Sequence, residues 1–169
     1  MVCLLQIISA AALAAVATPD HLVTFKNRCA SQTITPAFHA ADGTSRYMAA
    51  IGNGGTTTTT VAALLGVAHV WADQVVQLSR WQIHYRAGCT LLECNFDNPS
   101  FGQCNLSRVS GFNVGMEFSW TDGGCSGNYC LHNTCDGDRA FSTPDNGGPS
   151  LRQCNTPNVG MTVTFSCDP

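Results

Sequence analysis

The chain has 169 residues, 11 acidic against 8 basic, for a formal net charge of −3, and Lys26 is its only lysine. This length suits one domain. With no basic stripe or polybasic run, neither nucleic acid nor an anionic membrane surface is an expected partner. Ten cysteines in so short a chain point to disulfides and an oxidising compartment.

The first 17 residues carry no Asp, Glu, Lys or Arg, and Leu4 to Val16 is apolar except for Gln6 and Ser9. Ala15-Val16-Ala17 then supplies a small-x-small site before Thr18-Pro19. This reads as a secretory signal peptide cut after Ala17, its apolar run too short to cross a bilayer. The mature chain, 18–169, is expected to be one extracellular domain. Loss of Cys3 leaves nine cysteines, an odd number, so at most four pairs form and one thiol remains over.

Strand patterns follow in order. His21, Val23 and Phe25 alternate with Leu22, Thr24 and Lys26, the period-2 signature of a strand with one buried face. Gly52-Asn-Gly-Gly55 is a turn, and Thr56 to Thr60 is a β-branched run that disfavours helix. Val61 to Trp71 fits either a short buried helix or two strands around Gly66, since periodicity alone does not decide. Gln74 to Arg86 alternates, with Trp81, Ile83 and Tyr85 on one face. Thr90 to Phe96 is a short strand ended by Asn98-Pro99. Gly111 to Trp120 places Phe112, Val114, Met116, Phe118 and Trp120 opposite Glu117 and Ser119, and Val159 to Cys167 alternates throughout. Short strands separated by Gly, Asn, Asp and Pro predict an all-β, antiparallel sandwich or barrel with little or no helix.

Few residues carry chemistry. The histidines, His21, His39, His69, His84 and His132, are scattered without an H-E-x-x-H pair, and there is no G-x-S-x-G. They are expected to be surface or structural. Gly52 to Gly55 lacks the lysine of a phosphate loop. Cys125-x4-Cys130-x4-Cys135 has the wrong spacing for a zinc site, and a secreted chain favours disulfides instead. Only two glutamates exist, Glu93 and Glu117, while a glycosidase needs two carboxyl groups at a set separation. Glu117 is expected on the solvent face of its strand. Trp120 is expected in the core rather than stacked on a sugar. Asn105-Leu106-Ser107 is an N-glycosylation sequon.

Five segments, in order, carry a family resemblance. They are His21 to Cys29 (HLVTFKNRC), Thr90 to Phe96 (TLLECNF), Gly111 to Met116 (GFNVGM), Cys135 to Asn146 (CDGDRAFSTPDN) and Thr162 to Cys167 (TVTFSC). Together they resemble the thaumatin-like proteins, in particular their small fungal secreted, glycopeptide-type branch. Gly115 stands where the family has Pro, and residues 30 to 82 match poorly. The resemblance implies a β-sandwich of two sheets held by disulfides. It also implies the pairs Cys29–Cys167, Cys125–Cys154 and Cys130–Cys135, and leaves Cys89, Cys94 and Cys104 open among themselves, with Cys94–Cys104 the expected bridge and Cys89 the expected leftover.

Larger members of that family line an acidic cleft with an Arg, a Glu and three Asp, a cleft associated with binding and sometimes hydrolysing β-1,3-glucan. Glu93 matches the Glu. Asn105 and Ser110 stand at two of the Asp positions, and the Arg and the last Asp have no match. The resemblance therefore implies a secreted thaumatin-like protein that binds cell-wall polysaccharide, β-1,3-glucan, through Glu93, in a defence or antifungal role. A glycan on Asn105 would occupy the place of a cleft acid and hinder a polymer. The alternatives are a secreted interaction or effector-type protein without a glycan ligand, and a weak endo-β-1,3-glucanase with Glu93 as its candidate catalytic residue. No cofactor or metal is expected. The expected partner is a polysaccharide or a cell-surface molecule, met by a monomer.

Overall fold

The computed structural model describes residues 20–39, 43, 45–62, 67–74, 88–96, 102–144 and 148–167. The expected signal peptide, residues 1–17, and residues 75–86 of the expected alternating stretch lie outside the described residues. In chain order the strands are β1 (Asp20–Asn27), β2 (Ile34–His39), β3 (Ser45–Tyr47), β4 (Thr56–Ala62), β5 (Val67–Gln74) and β6 (Leu91–Asn95). They continue with β7 (Gly102–Ser107), β8 (Gly115–Trp120), β9 (Asn128–Cys130), β10 (Ala140–Phe141), β11 (Arg152–Cys154) and β12 (Met161–Ser166). No helix occurs among the described residues.

Two sheets form. One runs β4-β1-β12-β8-β9; the other runs β10-β7-β6-β5-β2-β3, with β11 also paired to β7. We call them sheets A and B. Alternation explains why they stack. In sheet A the inward positions Val23, Phe25, Val61, Met116, Phe118, Trp120, Met161, Val163 and Phe165 are buried, and they meet Ile34, Phe38, Leu92, Cys94, Cys104 and Leu106 of sheet B in one core. Most outward positions of sheet A are polar or β-branched, among them Thr24, Lys26, Thr56, Thr58, Thr60, Thr162, Glu117 and Ser119, with Leu22 an exposed apolar exception. This is a disulfide-stabilised β-sandwich. Its pairing is antiparallel with two exceptions, β1 with β12 and β10 with β7, which run parallel.

The ambiguous stretch from Val61 to Trp71 contributes to two strands, β4 and β5. β4 pairs with β1 over seven positions, from Asp20↔Ala62 to Lys26↔Thr56, which suits its Thr run. The Gly111 to Trp120 strand begins later than its alternation predicts, at Gly115. Two side-chain bonds compete with the ladder there. Thr90 Oγ1 donates to the Val114 carbonyl (2.7 Å), and the Thr90 amide donates to Asn113 Oδ1 (3.0 Å). Gly111 sits at φ 131°, and a Cβ there would lie 2.4 Å from the Gly88 Cα, so no larger residue fits this bend.

Four disulfides close the scaffold: Cys29–Cys167, Cys94–Cys104, Cys125–Cys154 and Cys130–Cys135. Cys89 is in none of them and is buried. The Cys94–Cys104 bridge joins directly opposed positions of β6 and β7. Just before Cys29, Asn27 is fully buried and uses its whole amide. Nδ2 donates to the carbonyls of Gln32 and Ile51 (both 2.8 Å), and Oδ1 accepts from the Cys29 amide (2.7 Å). One side chain thus fixes the exit of β1, the loop after it and the approach to the turn at residues 52–55.

At the other end of sheet A, the Asp122 carboxylate accepts from the Gly124 amide (2.8 Å) and from the Thr156 hydroxyl. These bonds, Thr156 first, hold its pKa below the ordinary carboxylate value.

Asn27→Ala strands the Gln32 carbonyl and the Cys29 amide and leaves the Ile51 carbonyl with only the Ile34 amide, and is expected to lower stability by about 2–3 kcal/mol in urea denaturation; a change near zero would show that water replaces the amide. Because the folded pKa of Asp122 is depressed, its contribution is present above the unfolded carboxylate value and is lost as pH falls through the lower folded one. Thr156→Val should therefore show a smaller drop in Tm than the parent between about pH 5 and about pH 1. Equal drops would place the acid sensitivity elsewhere.

Candidate functional site

β6 and β7 are short and rich in buried residues. Leu92 and Cys94 of β6, like Cys104 and Leu106 of β7, point into the core. The intervening Glu93 and Asn105 therefore occupy the face of sheet B turned away from it. They are directly opposed in the ladder. Asn105 is only 8 % exposed, and its Nδ2 donates to Glu93 Oε2 at 2.7 Å, with a longer bond to the Leu106 carbonyl at 3.4 Å. A hydrogen bond to an ionised carboxylate is roughly twice as strong as one between neutral groups, so the pair fixes where the half-buried carboxylate sits.

The register extends this pair into a row. Glu93 opposes His69 on β5, His69 opposes His39 on β2, and His39 opposes Ser45 on β3. His39 Nδ1 is 2.7 Å from Ser45 Oγ. Five polar positions thus cross five adjacent strands, over about 19 Å at the usual ~4.8 Å strand spacing. Such a row offers carboxylate, amide, imidazole and hydroxyl groups, which suits a hydroxyl-rich ligand lying across the strands. His39, His69 and Ser45 were not legible as site residues. They gain meaning only through the β2–β3 and β2–β5 registers, inside the region where no motif matches.

Neither register neighbour of Glu93 is an acid. Glu117 is on β8 in the other sheet, opposite Thr164 and Tyr129. Its Oε2 lies 3.6 Å from Arg28 Nη1, with the two side chains 41 % and 56 % exposed respectively. An ion pair so exposed contributes about 0–1 kcal/mol. The two glutamates thus belong to different sheets, and the ladder gives Glu93 no acid at either opposed position to complete the carboxyl pair of a glycosidase. Ser110, at the position of another cleft acid, lies in the turn before Gly111, where its carbonyl accepts from the Gly88 amide.

The remaining candidates fall into structural roles. His21 is fully buried. Its Nδ1 donates to the Val159 carbonyl at 2.8 Å, and its ring lies 4.6 Å from that of Phe96. His132 is exposed, with Nδ1 3.1 Å from Thr134 Oγ1. Trp120 packs edge-on against Phe118 in the core, centroids 5.7 Å apart. Trp71 is in β5, while Trp81 and His84 lie outside the described residues. Among the described residues, Asp122, Cys125 and Cys154 cluster within 4.8 Å, but both sulfurs belong to one disulfide and neither is available as the thiolate a metal binds. The Cys130 and Cys135 sulfurs are likewise bonded to each other.

No protein-family model matches the chain, and no curated protein does. Among solved structures it is similar to the protein elicitor MoHrip2 from Magnaporthe oryzae, at 19% identity and a TM-score of 0.62, over 86% of this chain and 98% of that one. At that identity the likeness is one of fold. The thaumatin-like resemblance remains with the five motifs that carry it, and no family model adds to it.

The Glu93–Asn105 bond is measurable by a double-mutant cycle. Glu93→Gln, Asn105→Ala and the double variant should give a coupling energy of about 1–3 kcal/mol in chemical denaturation. Simple additivity would show that the pair is not energetically joined.

Proposed function

We propose that the protein is secreted and acts by recognition, binding cell-wall polysaccharide of the β-1,3-glucan type across the outer face of sheet B. The observation that carries this reading is the Glu93 carboxylate, held by the Asn105 amide at 2.7 Å within an in-register polar row. A fixed carboxylate with amide, imidazole and hydroxyl neighbours can take paired hydrogen bonds from sugar hydroxyls. Without an acid at the opposed positions, the row favours binding over hydrolysis. Four disulfides support an extracellular setting. Asn105 serves here as the holder of Glu93. The nitrogen that a glycan would take is nearly buried and already donates to the carboxylate.

A second reading is favoured by one observation, the fold shared with a protein elicitor over nearly its full length. In it the same rigid sandwich presents a surface to a host or wall protein and needs no glycan.

A pull-down on insoluble β-1,3-glucan separates the two. Wild type should be retained, and Glu93→Gln should bind about 10-fold more weakly, the loss expected from one charge-assisted hydrogen bond. Wild type left in the supernatant would favour the second reading. Laminarin should release no reducing sugar above background; release abolished by Glu93→Gln would instead make Glu93 catalytic. Intact mass of the secreted protein should show no glycan removable from Asn105, and an occupied Asn105 would contradict its role as the holder of Glu93.

A further inference from the structure

A depression of about 220 Å³ lies away from Glu93, where the start of β8, the end of β12 and the segment after β9 converge. Gln32, Phe112, Asn113, His132, Asn133 and Ser166 supply its side-chain chemistry. We propose that it is a binding site for a single neutral sugar ring, the end residue of an oligosaccharide. Three observations lead there.

The first is chemical. No Asp, Glu, Lys or Arg lines the depression. Its walls combine three carboxamide side chains, a hydroxyl and an imidazole with one half-buried phenyl ring. Carboxamides both donate and accept, which matches hydroxyls that do the same, and an aromatic ring suits the C–H face of a pyranose. A charged ligand would find no counter-ion, and a purely apolar one would strip water from the amides without replacing their bonds.

The second is size. Pockets for drug-sized molecules run from about 300 to 1,000 Å³. A depression of about 220 Å³ is smaller and holds one ring rather than several.

The third is rigidity. The floor is closed around Gly115, where a Cβ would lie 2.8 Å from the Ser166 carbonyl oxygen and 3.0 Å from the Leu131 Cα. The Cys29–Cys167 bridge reaches the lining through Cys167. His132 and Asn133 sit in the short loop closed by Cys130–Cys135, which the Cys135 amide ties to the His132 carbonyl at 3.1 Å. The Gln32 carbonyl is held by Asn27, and Asn113 Oδ1 by the Thr90 amide. With the walls ordered before binding, little ordering cost falls on the complex. That makes a small, weakly bound ligand feasible.

This site shares no residue with the Glu93 row, so the two readings fail separately. The test uses the whole secreted protein and two soluble neutral probes that are not β-1,3-glucans, maltotriose and triacetylchitotriose, followed by saturation-transfer NMR and calorimetry. At least one probe should bind with a Kd of roughly 1 mM or tighter. Phe112→Ala and Asn133→Ala should each weaken binding about 10-fold, while Glu117→Gln, outside the depression's lining, leaves it unchanged. Phe112 also packs against the core, so its variant is compared only if its Tm shows a folded protein. Asn133 is exposed and serves as the variant that spares the fold. Binding of neither probe up to about 10 mM overturns the proposal. So does unchanged affinity in Asn133→Ala together with a folded Phe112→Ala. Loss in Glu93→Gln alone overturns it too, while leaving the Glu93 reading standing.

Discussion

The parallel pairing of β1 with β12, sealed by Cys29–Cys167, is the constraint on which the rest of this fold depends. It aligns Val23 with Met161 through Asn27 with Phe165 and brings the rings of Phe25 and Phe165 to 6.3 Å, stacked. A parallel pair needs a crossover, and here the crossover is nearly the whole domain, with the bridged cysteines 138 positions apart in sequence. Closing so long a loop is the costliest step of the fold. In the chain-entropy model a bridge of this span removes about 5 kcal/mol of unfolded-state freedom. Once β1 and β12 are adjacent, β4 adds to one side and β8 to the other, and sheet B is stacked against their inner faces.

Both candidate sites inherit their rigidity from that arrangement. The polar row lies on sheet B, whose inward residues are locked into the core and whose β6–β7 pair is cross-linked by Cys94–Cys104. Packing on one face therefore sets the register, and register sets which polar groups meet on the other. The depression beside Ser166 is built differently. Its walls are loops, and loops hold a shape only when something ties them; here two disulfides and the amides of Asn27 and Asn113 do so.

The strands with one wet face were the legible part of the sequence. β1, β8 and β12 alternate because their outer sides meet solvent, and the Thr run of β4 is written in β-branched residues. The all-β sandwich follows from these. What was hidden is non-local. Nothing in Ile34–His39 or Ser45–Tyr47 announces a partner, so the row through His39 and Ser45 depends on registers that only the folded chain reveals. Val61 to Trp71 was ambiguous because an apolar run buried in either form reads alike. Asn105 stood out as a sequon, whereas its bond to Glu93 needed the β6–β7 alignment. Phe112 read as one more inward residue of a strand. The Thr90–Asn113 bonds start that strand three residues later and leave its ring half-buried at the edge of a depression.

A cross-linked sandwich presenting Glu93 and its row as a recognition face makes a spatial claim, and amide NMR tests it residue by residue. Titrating the 15N-labelled protein with laminarihexaose should move the resonances of His39, Ser45, Glu93 and Asn105 together, in one saturable process. No movement along that row, or movement confined to Glu117, Tyr129 and the outer face of sheet A, would contradict it.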